Sequence, residues 1–127
     1  MTDKPNIILI ITDQQQADMM SCAGNDYVHT PAMDRLAASG VRFTRSYCTD
    51  PVCVPSRFSL MTGRMPLDIG LRGNYADRID PVPEDIKKQG LGWQLQEAGY
   101  ETVYGGKVHL PKMSIEEAGF NYITSDE

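Results

Sequence analysis

The feature that most constrains the fold is an apolar run near the N-terminus, residues 6–12, which reads Asn-Ile-Ile-Leu-Ile-Ile-Thr. Because branched apolar side chains stand at consecutive positions, both faces of a strand formed here would have to be buried. This pattern is typical of a central strand covered by helices on both sides of a sheet. The run is too short to span a membrane, and no small-residue cleavage site accompanies it.

The rest of the chain alternates helical and extended patterns. Thr30 and Pro31 predict the start of a helix that ends at Gly40, and residues 41–47 alternate apolar and polar as a strand does. Helical patterns follow at 55–61 and 91–98, an extended pattern at 101–104, and loops over the Gly-, Pro- and Asp-rich stretch 64–90. This order predicts an α/β fold with a mostly parallel central sheet and helices on both faces.

Polar residues follow two of the predicted strands. Asp13 and Gln14 come directly after the first, and Lys107 and His109 come after the strand at 101–104. Ligands bind at the carboxyl ends of strands in open α/β sheets, so both pairs are candidate site residues. The alternative is that the first pair caps a helix or turn and the second is a solvated strand end. If the second strand continues, alternation places Lys107 and His109 on one face.

Charge and cysteine content exclude several classes of protein. The 127 residues carry a net charge of -5, which disfavours binding to nucleic acid or to an anionic membrane, and an anionic substrate would need a local cluster of cations. Cys22, Cys48 and Cys53 lack CxxC spacing and cannot all pair, so we expect no disulfide framework. As written the chain is expected to be cytoplasmic, or periplasmic or secreted if a signal peptide has been removed.

Two segments carry specific motifs. Residues 53–63 read Cys-Val-Pro-Ser-Arg-Phe-Ser-Leu-Met-Thr-Gly, which resembles the sulfatase signature C-x-P-S-R-x-x-x-L-x-T-G at every specified position. Residues 99–110 resemble the second signature of that family, G-Y-x-T-x-x-x-G-K-x-H-L. With further matches at 29–37, 40–43 and 63–66, the resemblance is to the sulfatase branch of the alkaline-phosphatase-like superfamily.

The resemblance implies the chemistry. Cys53 would be oxidised to Cα-formylglycine by a formylglycine-generating enzyme, and its hydrated aldehyde would be the nucleophile. Arg57, Lys107 and His109 would bind the substrate and assist catalysis, the substrate being a small-molecule or saccharide sulfate ester. A divalent metal would be held by Asp13, Gln14 and residue 53. Ca²⁺ is expected in preference to Mg²⁺ or Mn²⁺, and hard oxygen ligands suit these ions. A helix beginning at Cys53 would favour an anionic ester there.

One departure from the family pattern adds an alternative to the predicted function. Two consecutive aspartates usually follow the first strand of these enzymes, but the second position here is Gln14. This pair also fits a phosphonate or phosphate diester hydrolase of the same superfamily, which is the alternative function.

The length of the chain adds a further expectation. Family members are several times longer, so residues 1–127 are expected to be the N-terminal part of a truncated sulfatase catalytic domain. Alone it is expected to show little activity and to self-associate through exposed sheet edges. The third alternative function is a non-catalytic fragment that acts only as a binding or assembly module.

Overall fold

Four α-helices and two β-strands organise residues 4–124, the part of the chain that this computed structural model describes. The ends of the predicted domain 1–127, residues 1–3 and 125–127, lie outside the described residues. The chain divides into two compact units, Met1–Ser46 and Tyr47–Glu127. The elements are α1 (Pro31–Ser39), α2 (Cys53–Thr62), α3 (Glu84–Lys87), α4 (Leu91–Glu97), β1 (Val103–Gly105) and β2 (Asn121–Thr124), with 3-10 turns at Ser21–Ala23, Pro66–Ile69 and Ala76–Arg78.

Helix α1 confirms the helix predicted after Thr30. Pro31 occupies its first turn, where a missing N–H costs nothing, and Gly40 follows its last residue. Thr30 stands at the N-cap, but its hydroxyl accepts no backbone N–H of α1. It contacts Ser21 Oγ at 2.8 Å and donates to Asp34 Oδ1 at 3.2 Å, which ties the 3-10 turn to the helix.

Two predicted strands are wrong in this structure. Residues 6–12 and 41–47 form no strand, and the side chains that were expected to be buried are exposed, Ile8 by 83% and Phe43 by 78%. A strand needs a neighbouring backbone to complete its hydrogen bonds, and among the described residues no strand pairs with either segment. The apolar composition alone does not supply that partner.

The hydrophobic core lies in the second unit and is built around α2. Phe58 is fully buried, and Val54 and Met61 on the same helix are 2% and 3% exposed. The helix begins at Cys53, two residues before the predicted start, because Pro55 is tolerated within a first turn. It ends at Gly63, whose φ of +68° is the left-handed conformation that favours glycine.

Strands β1 and β2 form a parallel pair, with Val103 opposite Asn121. The pair confirms the extended segment predicted after residue 101 and the parallel direction expected of the sheet. The backbone of α4 packs directly against the backbone of the turn that precedes β2. A Cβ atom added to Gly92 would lie 2.3 Å from the carbonyl oxygen of Gly119. Only glycine at position 92 permits this approach. None of the described helices has the length and apolarity needed to cross a membrane.

Candidate active site

Cys53 is the first residue of α2 and is half-buried. The preceding residue, Val52, is extended and has no side-chain acceptor for the helix. The helix dipole favours negative charge at this end of α2. All three cysteines are free thiols, as expected from their spacing.

Arg57 lies one turn further along α2 and is almost completely buried, with 8% of the residue exposed. Its Nη1 donates to the main-chain carbonyl oxygen of Lys107 at 2.9 Å. This hydrogen bond joins the first signature to the second across 50 residues of sequence. The backbone of the segment that carries Lys107 therefore contacts the side chain of Arg57 in a chain whose net charge is -5.

The segment that carries Lys107 and His109 leaves β1 through a sharp turn. Gly106 has a φ of +91°, and His109 has a φ of +47°, so the extended conformation is interrupted at both residues. The alternation that was expected to place Lys107 and His109 on one face does not continue here. Both side chains are exposed, and Tyr104 fixes the turn by donating from Oη to the Lys107 carbonyl oxygen at 2.6 Å.

Asn74 contacts Cys53, although the sequence did not single it out. Its Oδ1 accepts the Val54 N–H at 3.0 Å, and its Nδ2 lies 3.2 Å from Cys53 Sγ. The signal that could have found it is weak: a helix start without its own cap, and a polar residue after a glycine in the irregular stretch 64–90.

The predicted metal ligands Asp13 and Gln14 belong to the first unit, whereas the other candidate residues belong to the second. Both are exposed, and Gln14 has a φ of +54°. Left-handed backbone is uncommon outside glycine and clusters at functional sites.

Within residues 4–124, no group of three or more His, Cys, Asp or Glu side chains could hold a metal ion. A carboxylate and an amide oxygen fit a hard divalent cation in kind, but they are two ligands of the six or more that calcium takes.

Similarity to a solved structure defines the class of fold. A 2-O GAG sulfatase matches 84% of this chain and 22% of its own, with a TM-score of 0.71 and 31% sequence identity. The predicted class is confirmed, because the chain has the alkaline-phosphatase-like α/β fold of such enzymes.

The sulfatase family model matches residues 5–126, and the chain belongs to the sulfatase family. An ulvan-active sulfatase from Formosa agariphila is 38% identical over 109 residues, covering 86% of this chain and 21% of that protein. An N-acetylglucosamine-6-O-sulfatase from Bacteroides thetaiotaomicron is 36% identical over 121 residues, covering 95% of this chain and 20% of that protein. The chain therefore spans about a fifth of the length of these curated relatives.

Proposed function

We propose that the protein containing this chain hydrolyses sulfate esters, with Cys53 as the precursor of a Cα-formylglycine nucleophile. The observation that carries the proposal is the hydrogen bond from Arg57 to the Lys107 carbonyl oxygen, because it joins the second signature segment to the helix that begins at Cys53. Several relatives are named for saccharide sulfates, so a saccharide sulfate ester is the proposed substrate class. Family membership supports the reaction type.

The proposed reaction is a double displacement. One hydroxyl of hydrated formylglycine 53 attacks sulfur, the S–O bond to the alcohol breaks, and the alcohol leaves. Lys107 and Arg57 stabilise the negative charge of the transferring sulfuryl group. His109 then removes the proton of the second hydroxyl, which reforms the aldehyde and expels sulfate. Water rehydrates the aldehyde and closes the cycle.

A divalent metal belongs to the same proposal, with Ca²⁺ favoured over Mg²⁺ or Mn²⁺. Asp13, Gln14 and an oxygen on residue 53 would hold it. Such an ion, when bound, supplies positive charge next to the nucleophile and the sulfate oxygens. Because these three donors are fewer than the six or more oxygens that calcium takes, we also propose that residues 1–127 form the N-terminal part of a larger catalytic domain.

Mass analysis of the peptide containing residue 53 tests the nucleophile directly. We expect the aldehyde or its hydrate in active protein, and active protein that contains only unmodified cysteine would contradict the proposal. Cys53→Ala is expected to abolish turnover of p-nitrophenyl sulfate, since no nucleophilic oxygen can form. Cys48→Ala is the matched control, because this exposed free thiol lies outside the signature.

Gln14 favours a second candidate function. An amide in place of a carboxylate removes one negative charge from the proposed metal site, and by resemblance this Asp-Gln pair also fits a phosphonate or phosphate diester hydrolase that uses the same nucleophile. Comparing kcat/KM for p-nitrophenyl sulfate and for a phenyl phosphonate ester separates the two. A higher value for the phosphonate ester would make this second function the principal one.

A further inference from the structure

The start of α2 is capped from outside the helix. The Val52 side chain cannot accept a hydrogen bond from the first turn, and the oxygen of Asn74 accepts the Val54 N–H instead, at 3.0 Å. This is the bond that an N-cap side chain normally makes, supplied here by a residue 20 positions downstream. Asn74 therefore acts on the turn of helix that presents residue 53.

The same bond fixes which way the Asn74 amide faces. A backbone N–H can only donate, so the atom next to Val54 N must be the oxygen, Oδ1. The NH₂ group is then directed at Cys53, with Nδ2 3.2 Å from Sγ. The sulfur also lies 3.4 Å from Oδ1, so both ends of the amide are within reach of the side chain at 53.

The loop that carries Asn74 is anchored to the core. Leu71 is 1% exposed and its N–H donates to the Pro66 carbonyl oxygen at 2.9 Å. Gly70 and Gly73 have φ values of +69° and +146°, which only glycine adopts readily, so the path between the anchor and Asn74 is specified by sequence. The amide of the exposed Asn74 is thereby placed next to the start of α2.

We propose that Asn74 is a positioning residue for the nucleophile. Its NH₂ group donates to the side chain of residue 53 and holds it in one orientation. The proposal rests on the proposed function in one respect: after conversion, a hydroxyl oxygen occupies the position of Sγ and accepts this hydrogen bond. The second hydroxyl on the same carbon is then left to attack the sulfur of the ester.

Two substitutions in the complete protein distinguish the hydrogen bond that Oδ1 accepts from Val54 from the hydrogen bond that Nδ2 donates to residue 53. Asn74→Asp keeps an oxygen for the Val54 N–H but has no NH₂ group, whereas Asn74→Ala loses both. Asn25→Ala is the matched control, because Asn25 also accepts a backbone N–H, from Tyr27 at 2.9 Å, and donates to a carbonyl oxygen, that of Asp18 at 2.9 Å. We expect hydrogen exchange at Val54 to quicken about 10-fold in Asn74→Ala and to stay unchanged in Asn74→Asp.

The catalytic readout is kcat on p-nitrophenyl sulfate, divided by the fraction of residue 53 converted to formylglycine. We expect kcat to fall about 10-fold or more in both Asn74 variants with KM nearly unchanged, and to stay at the wild-type value in Asn25→Ala. Wild-type kcat in Asn74→Asp would overturn the proposal, since a purely structural cap survives that substitution.

A third readout does not depend on the sulfatase reaction. In protein whose Cys53 is unconverted, alkylation of this thiol by iodoacetamide should slow about 10-fold in Asn74→Asp, because the new carboxylate repels the thiolate. An unchanged alkylation rate would contradict the proposed contact between Asn74 and residue 53. If alkylation responds as expected while the wild-type protein hydrolyses no sulfate ester, the proposed function fails and the contact between Asn74 and residue 53 stands.

Discussion

The carbonyl oxygen of Lys107 accepts two hydrogen bonds, from Tyr104 Oη at 2.6 Å and from Arg57 Nη1 at 2.9 Å. The ring of Tyr104 is itself fixed by an edge-on contact with Phe120, with centroids 6.0 Å apart. Both donors act on the backbone of Lys107, whose side chain remains exposed. The turn is therefore held through the backbone of Lys107.

We predict that Tyr104→Phe lowers kcat about 3- to 10-fold and leaves KM nearly unchanged. The ring contact with Phe120 remains, but one hydrogen bond worth about 1 kcal/mol is lost and the Lys107 turn is less well fixed. Steady-state kinetics on p-nitrophenyl sulfate would measure the effect. Tyr47→Phe, at a tyrosine that is 88% exposed, should behave as wild type. Equal kcat values for Tyr104→Phe and wild type would show that Arg57 alone is sufficient.

Local spacing explains which site residues could be predicted. Cys53 and Arg57 lie one turn apart on a single helix, so their relation is a property of a short segment. The bond from Arg57 to Lys107 spans 50 residues and that from Asn74 to Val54 spans 20. Such contacts depend on the path of the intervening loops, which no short pattern encodes, and Asn74 was therefore missed.

The sequence predicted the helices α1 and α2 more accurately than it predicted the strands. The hydrogen bonds of a helix close within the segment, and α1 and α2 were found close to their predicted bounds. A strand needs a partner elsewhere in the chain. Residues 101–104 find one in β2, which was not predicted, whereas 6–12 and 41–47 pair with no strand among the described residues.

A network of hydrogen bonds to one carboxylate holds the 3-10 turn Ser21–Ala23 against α1. The Ser21 hydroxyl donates to Asp34 Oδ2 at 2.6 Å, and the Cys22 N–H donates to Oδ1 at 2.9 Å. The Ser21 hydrogen bond is the main cause that lowers the pKa of Asp34 below its ordinary value of 3.8, against an opposing effect of desolvation. The ionised carboxylate thus stabilises the folded state of this unit.

We predict a pH-dependent loss of stability from Asp34→Asn. Because the folded pKa is depressed, the contribution of Asp34 is complete above the unfolded pKa near 3.8 and is lost as the pH falls through the folded pKa. The variant should therefore unfold at a lower temperature than wild type at neutral pH, and the gap should close as the pH falls through the folded pKa of Asp34, which lies below 3.8. Thermal unfolding at a series of pH values measures this. The exposed Asp26→Asn is the control, and a gap that stays constant into acid would contradict the assignment.

At the scale of the whole molecule, buried apolar surface is unevenly distributed. Every described residue of the hydrophobic core belongs to Tyr47–Glu127, and no described residue of the first unit is buried. The sequence motifs identified the family and hence the fold, but composition could not reveal this distribution. The apolar run at the N-terminus was assigned to a sheet interior from its side chains alone, and burial requires neighbours that a pattern does not supply.

We predict that the 127-residue chain self-associates through residues 7–11, whose five apolar side chains are all at least 38% exposed. Contiguous apolar surface of this kind favours association, because contact between copies removes it from water. Ile10→Lys should lower the average mass from light scattering toward the 14.1 kDa of one chain, since a charge cannot be buried cheaply in such a contact. Tyr27→Lys, which adds the same charge at a fully exposed isolated residue, should leave association unchanged. Equal masses for the two variants would mean that net charge, and not the apolar run, governs association.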